Sequence, residues 1–165
     1  MPDLEGALEK KVRLVYLVAR VYHALRATRL EPALKSAGVT PLQYTIMTVV
    51  AAHEGLSSAE LSRRFYVTPQ TMGQVLGNLE QQGLLRRKED PENRRVLRVS
   101  LTAKGERLVE QCESSIEQIE HEIFGSAETA EKAQLRKRLS DVTAYLRNNP
   151  SYPAAEPASR RRSRG

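Results

Sequence analysis

The stretch Thr68-Pro69-Gln70-Thr71-Met72-Gly73-Gln74-Val75-Leu76-Gly77-Asn78-Leu79 carries a polar cap, a proline at the first helical position and apolar residues at 72, 75, 76 and 79. Proline is suited to that position because its missing N–H has no helical partner anyway, and the apolar spacing turns one face inward. The opposite face, Gln70, Thr71, Gln74 and Asn78, is polar and left free. Gly73 and Gly77 each weaken such a helix by roughly 1 kcal/mol relative to alanine, which implies a close approach of the backbone to something.

Upstream, Ser57-Ser58-Ala59-Glu60 has the S-x-x-E spacing of a capping box and opens a short helix whose Leu61 and Phe65 face inward. Before it, Thr40-Pro41 opens a helix with Leu42, Ile46, Val49 and Val50 on one side, stopped at Gly55. Downstream, Gly83 ends the helix of Thr68, and Leu84–Lys88 and Val96–Leu101 are strand-like, with 97, 99 and 101 alternating against 96, 98 and 100. Glu89–Arg95 between them is turn-rich. Two tightly joined helices followed by a hairpin with a basic tip outline a winged helix-turn-helix. The expected fold class is mainly α with a small β-hairpin wing.

Both flanks are helical in pattern. Between Leu14 and Leu25 ten of twelve residues are apolar, so that helix must be covered on most sides, by the rest of the domain or by a second copy of the chain. It is well short of the roughly 20 apolar residues needed to cross a bilayer. Past Thr102, Leu108, Cys112, Ile116, Ile119 and Ile123 recur at helical spacing, Gly125-Ser126 interrupts, and Leu135, Leu139, Val142 and Leu146 resume. Such narrow stripes are similar to the seams of paired helices. The last sixteen residues hold three prolines and four arginines with little to bury, and disorder is expected there.

A chain of 165 residues with 40% apolar composition suits one domain of ordinary size. We expect that domain to span 1–149, with the winged unit at about 40–104, flanking helices at about 4–34 and 103–147, and a basic tail at 150–165. The single cysteine, Cys112, forms no disulfide within the chain, and the start does not resemble a secretory leader, so a cytoplasmic protein is expected. Of the formal charge of +6, residues 57–104 carry nine basic against five acidic residues and 105–149 carry six against nine. The positive charge thus gathers on the candidate reader and on the tail. Enzymatic chemistry is not expected: His23, His53 and His121 are far apart, and no metal-ligand spacing or phosphate-cradling glycine loop occurs, so neither metal nor cofactor is called for.

The run Leu61 to Gly105, with Asp90-Pro91-Glu92-Asn93-Arg94-Arg95 followed by Leu101-Thr102-Ala103-Lys104-Gly105, resembles the MarR (multiple antibiotic resistance regulator) family of bacterial and archaeal transcription factors. The resemblance covers about residues 8 to 147. It implies a homodimer whose N- and C-terminal helices intertwine, reading a pseudo-palindromic operator in double-stranded DNA, and often a repressor released by a small aromatic ligand or by cysteine oxidation. Two departures stand out. Asn93 occupies a place where the family usually has an acid paired with the arginine two residues on, here Arg95, and Gln74 stands where arginine is frequent.

The residues themselves suggest how reading would work. Glutamine and asparagine bond adenine in two places and a threonine methyl touches thymine, so Gln70, Thr71, Gln74 and Asn78, with Thr68 and Arg63 beside them, suit a major groove containing A·T pairs. Arg94 and Arg95 at the hairpin tip suit a minor groove or phosphate. Tyr16, Arg20, His23, Tyr44 and Met47 are candidate linings for an aromatic carboxylate effector, although tyrosines at helical spacing also build cores. Cys112, on an apolar stripe, is expected to be a buried structural thiol; the oxidation-sensing branch would want a cysteine in the first helix, where there is none. The tail arginines are either a source of nonspecific affinity or an inert end. A protein-interaction module and a ligand-independent DNA-binding protein remain the alternatives to a ligand-released regulator.

Overall fold

A computed structural model of the chain describes residues 12–53, 55–94 and 96–149. The stretch before residue 12, the wing residue Arg95 and the basic tail, all of which carry expectations stated above, lie outside the described residues.

The chain begins with α1 (Leu14–Leu25), which runs through a π-helical turn (Arg26–Leu30) into α2 (Glu31–Lys35). Pro32 accounts for the widened turn: it offers no N–H to the carbonyl four residues back, and its ring would crowd that carbonyl in a regular helix. The next three helices, α3 (Pro41–Ala52), α4 (Ser58–Arg64) and α5 (Pro69–Gln81), each start at a hydroxyl cap. Thr40 with Gln43 and Ser57 with Glu60 form complete capping boxes, in which side chain and backbone bond each other reciprocally. At Thr68 the hydroxyl accepts from the Thr71 amide at 3.1 Å.

Strands β1 (Leu85–Glu89) and β2 (Leu97–Leu101) pair antiparallel with Leu85 opposite Leu101 and Glu89 opposite Leu97. Val99 and Leu101 point into the core while Leu97, nearer the tip, is exposed, as the alternation predicts for all but its first position. A short third edge forms where the Val99 amide donates to the Leu56 carbonyl at 2.8 Å and Arg98 bridges Ser57. That edge joins the wing to the start of α4.

One apolar core gathers all of these pieces. Leu34, Ile46, Met47, Leu61, Met72, Leu76, Leu79, Leu84 and Val99 are each fully or almost fully buried. Each such side chain contributes about 1.5–3 kcal/mol by leaving water, so the core needs no disulfide or metal. The lobe is closed by α6 (Ala103–Phe124), whose Cys112 reaches the core. Gly125, at φ +78°, ends α6, and α7 (Ala130–Asn148) follows.

The two terminal arms differ from the lobe. No residue of α1 or α7 is buried, and Val15 is 81% and Leu139 51% exposed. The helix that sequence pattern requires to be covered on most sides is therefore left bare by the described residues of a single chain.

Candidate nucleic-acid interface

Three features define the exposed surface of the helix pair and the wing. First, α4 and α5 are joined by a tight turn in which the Val67 amide donates to the Ser62 carbonyl at 3.1 Å. Tyr66 takes a left-handed backbone there, with φ +53°. Second, Met72, Leu76 and Leu79 anchor α5 to the core, so Gln70, Thr71, Gln74 and Asn78 are presented to solvent on its other face. Third, the hairpin projects beside this helix with Arg94 exposed near its tip.

Thr68 is exposed, but its hydroxyl is already engaged with both the amide and the hydroxyl of Thr71. Arg63 is exposed in the last turn of α4. Neither Arg63 nor Arg94 forms an ion pair among the described residues, which leaves both charges available. A Cβ built on Gly73 or Gly77 would meet nothing within 4 Å, so the close approach inferred from these glycines is to none of the described residues of this chain.

Not every cation in this region faces outward. Arg87 is held by Glu80 of α5, to whose Oε2 both its Nε, at 3.0 Å, and its Nη2 donate. Arg98 donates from Nε to Asp90 Oδ2 at 2.5 Å and from Nη1 to the Gly55 carbonyl at 2.9 Å, with Glu60 at 3.6 Å. Asp90, 8% exposed, also accepts the Glu92 and Asn93 amides on its other oxygen at 2.8 and 3.0 Å. These bonds hold the Asp90 carboxyl below its ordinary range, the Arg98 guanidinium first among them. The Glu60 carboxyl is likewise lowered, chiefly by its bonds from Ser57.

Arg87, Arg98, Glu80 and Asp90 were not among the sequence candidates. Asp90-Pro91 with Asn93 behind it is a legible turn signal. The partner of that aspartate is not legible, because Arg98 reaches it only once the hairpin has closed.

The effector candidates separate into two groups. Tyr44 and Met47 are buried in the core of the lobe, whereas Tyr16, Arg20 and His23 are exposed on α1. Cys112 is 6% exposed, and burial raises its thiol pKa, as expected of a structural cysteine. No group of three or more His, Cys, Asp or Glu side chains suited to a metal occurs among the described residues, and no described helix is long and apolar enough to cross a membrane.

The architecture is that of a winged helix-turn-helix, a class in which the second helix and the wing are the reading elements. A MarR family profile matches residues 37–96. Over 129 residues the chain is 31% identical to an HTH-type transcriptional repressor of Mycobacterium tuberculosis, covering 78% of this chain and 92% of that one. A crystal structure of MarR superposes with a TM-score of 0.73 at 24% identity, covering 90% of this chain and 99% of the other. The S. aureus MepR–DNA complex does so with a TM-score of 0.71 at 23% identity, over 82% and 99%. CouR from Rhodococcus jostii, solved bound to p-coumaroyl-CoA, gives 0.72 at 20% identity over 81% and 93%. The chain belongs to the MarR family of DNA-binding transcriptional regulators.

Proposed function

We propose that the protein is a homodimeric repressor that reads a pseudo-palindromic operator. The observation that carries this reading is the exposed polar face of α5, Gln70, Thr71, Gln74 and Asn78, set beside a wing whose exposed Arg94 forms no ion pair among the described residues. Arg63, Thr68 and Arg95 complete the proposed contact set. The dimer is supported by the bare apolar surfaces of α1 and α7, since Leu14, Val15, Val18, Leu139 and Val142 are each more than half exposed in one chain. Hydrophobic surface of that extent flanking a soluble lobe marks an interface, and a second copy supplies a matching face. The flanking helices and the winged lobe then act as one domain over residues 1–149.

Release by a small aromatic acid fits the same frame. Of the five candidate linings, Tyr16, Arg20 and His23 are exposed on α1 and would meet the ligand directly, whereas Tyr44 and Met47 lie in the lobe core and would reach it only through a shift of the lobe. CouR, which shares the fold and was solved bound to p-coumaroyl-CoA, supports this reading. Selection of bound sequences from a random duplex pool tests the DNA reading: a two-fold motif with half-sites about one helical turn apart is the expected result. Recovery of no motif, with binding that is equally strong for all duplexes, would count against sequence-specific regulation.

A further inference from the structure

Arg98, like Arg87, is a cation of the reader already engaged by carboxylates of its own chain. Arg98 lies between two carboxylates, and each of these organises a different turn. Asp90 folds the wing tip with Oδ1, through the Glu92 and Asn93 amides, and meets Arg98 with Oδ2. Glu60 closes the N-terminus of α4 through the Ser57 amide at 2.7 Å and the Ser57 hydroxyl at 2.6 Å, and its Oε2 lies 3.6 Å from Arg98 Nη1. The same nitrogen donates to the Gly55 carbonyl, in the loop that leads into α4.

From this geometry we infer that Arg98 is a positioning residue for DNA reading: it fixes the wing tip, and so Arg94, relative to the helix pair. The planar guanidinium is what the task needs, because it addresses a carboxylate and a carbonyl from different N–H groups at once. Two backbone hydrogen bonds flank the tip, Asp90 N to Val96 O at 2.9 Å and Val96 N to Asn93 O at 2.8 Å. They close the turn but do not tie it to α4. The Val99–Leu56 backbone bond ties β2 to the start of α4, and the Arg98 side chain carries that tie on to the tip turn. The inference rests on the wing-and-helix reading of the DNA interface given above.

The test uses the full-length chain and a duplex that it enriches from a random-sequence pool. Electrostatics alone predicts that Asp90→Asn, by removing negative charge near DNA, strengthens binding. Positioning predicts the opposite sign, a weakening on the order of tenfold, and a similar loss in Arg98→Gln and in Arg98→Lys, which keeps the charge but not the fork. The Asp90→Asn/Arg98→Gln double variant is then no weaker than the poorer single variant. Hydrogen exchange without DNA gives a second measurement: amides of Glu92 and Asn93 exchange faster in Arg98→Lys, while those of Leu76 to Leu79 do not. Arg98→Lys, the mildest change, keeps the test available if Arg98→Gln does not fold. Tighter binding by Asp90→Asn, wild-type binding by Arg98→Lys, or unchanged exchange at the tip overturns the inference. Undiminished binding by Arg94→Ala sinks the wing reading instead, and the exchange measurement separates that failure from this one.

Discussion

A Cβ built on Gly105 would lie 2.1 Å from the carbonyl oxygen of Leu84. No atom pair tolerates that distance, so α6 can begin where it does only with glycine in its first turn. Thr102 completes the junction: its hydroxyl donates to the Gly83 carbonyl at 2.6 Å and accepts from the Gly105 amide at 3.1 Å. The Leu-Thr-x-x-Gly run is thus a joint between the wing and the helix behind it. Gly105→Ala is expected to destabilise the protein by about 2–3 kcal/mol, because backbone on both sides must give. Denaturant unfolding should show a lower midpoint with an unchanged slope.

Stability and recognition should separate along α5. Leu76 is fully buried, and Leu76→Ala should lower stability by about 2–5 kcal/mol through lost transfer energy and the cavity left behind. Gln74, exposed on the other face, should change stability by no more than about 0.5 kcal/mol when made alanine, yet weaken operator binding by about 1–3 kcal/mol. Paired thermal melts and titrations check this.

Arg94→Ala and Arg95→Ala should each weaken binding across all sequences and reduce the slope of log K against log salt by about 1, if each neutralises one phosphate. Titrations at several salt concentrations measure the slope. A slope unchanged in both variants assigns the wing charge to solvent.

Acid should loosen the lobe at two identified sites. The carboxyls of Asp90 and Glu60 are held below their ordinary values by hydrogen bonds from Arg98 and Ser57 respectively. A carboxylate lowered on folding stabilises above its unfolded pKa, and that contribution disappears as pH falls through the folded value. The melting temperature is therefore expected to drop as pH falls from about 4 downward, and the drop should be shallower in Asp90→Asn. Melts across that range provide the comparison.

The dimer proposal makes its own prediction. Leu139 is 51% exposed in the single chain, and Leu139→Glu would bury an unpaired charge in the proposed interface. Sedimentation should shift from dimer to monomer while the lobe still melts cooperatively.

Much of this molecule is local in origin and so could be read from the chain. Thr40-Pro41, Ser57 to Glu60 and Thr68-Pro69 specify three helix starts, because caps and first-turn prolines act within four residues. The alternation before Thr102 likewise specifies β2, and the stripe of Met72, Val75, Leu76 and Leu79 determines which face of α5 remains for a partner. Which charges remain available was decided only by folding. Arg87 and Arg98 look like surface cations until the hairpin brings Glu80 and Asp90 beside them, eight residues or fewer away in sequence yet on different elements. Gly105 acquires its reason only when Leu84 arrives against it. The exposure of α1 is a tertiary fact of the same kind: an apolar helix demands a cover, but only the folded lobe shows that the described residues of one chain do not provide it. Local hydrogen bonding and periodicity depend on neighbours in sequence, whereas the pairing of charges and the covering of faces depend on where the backbone returns.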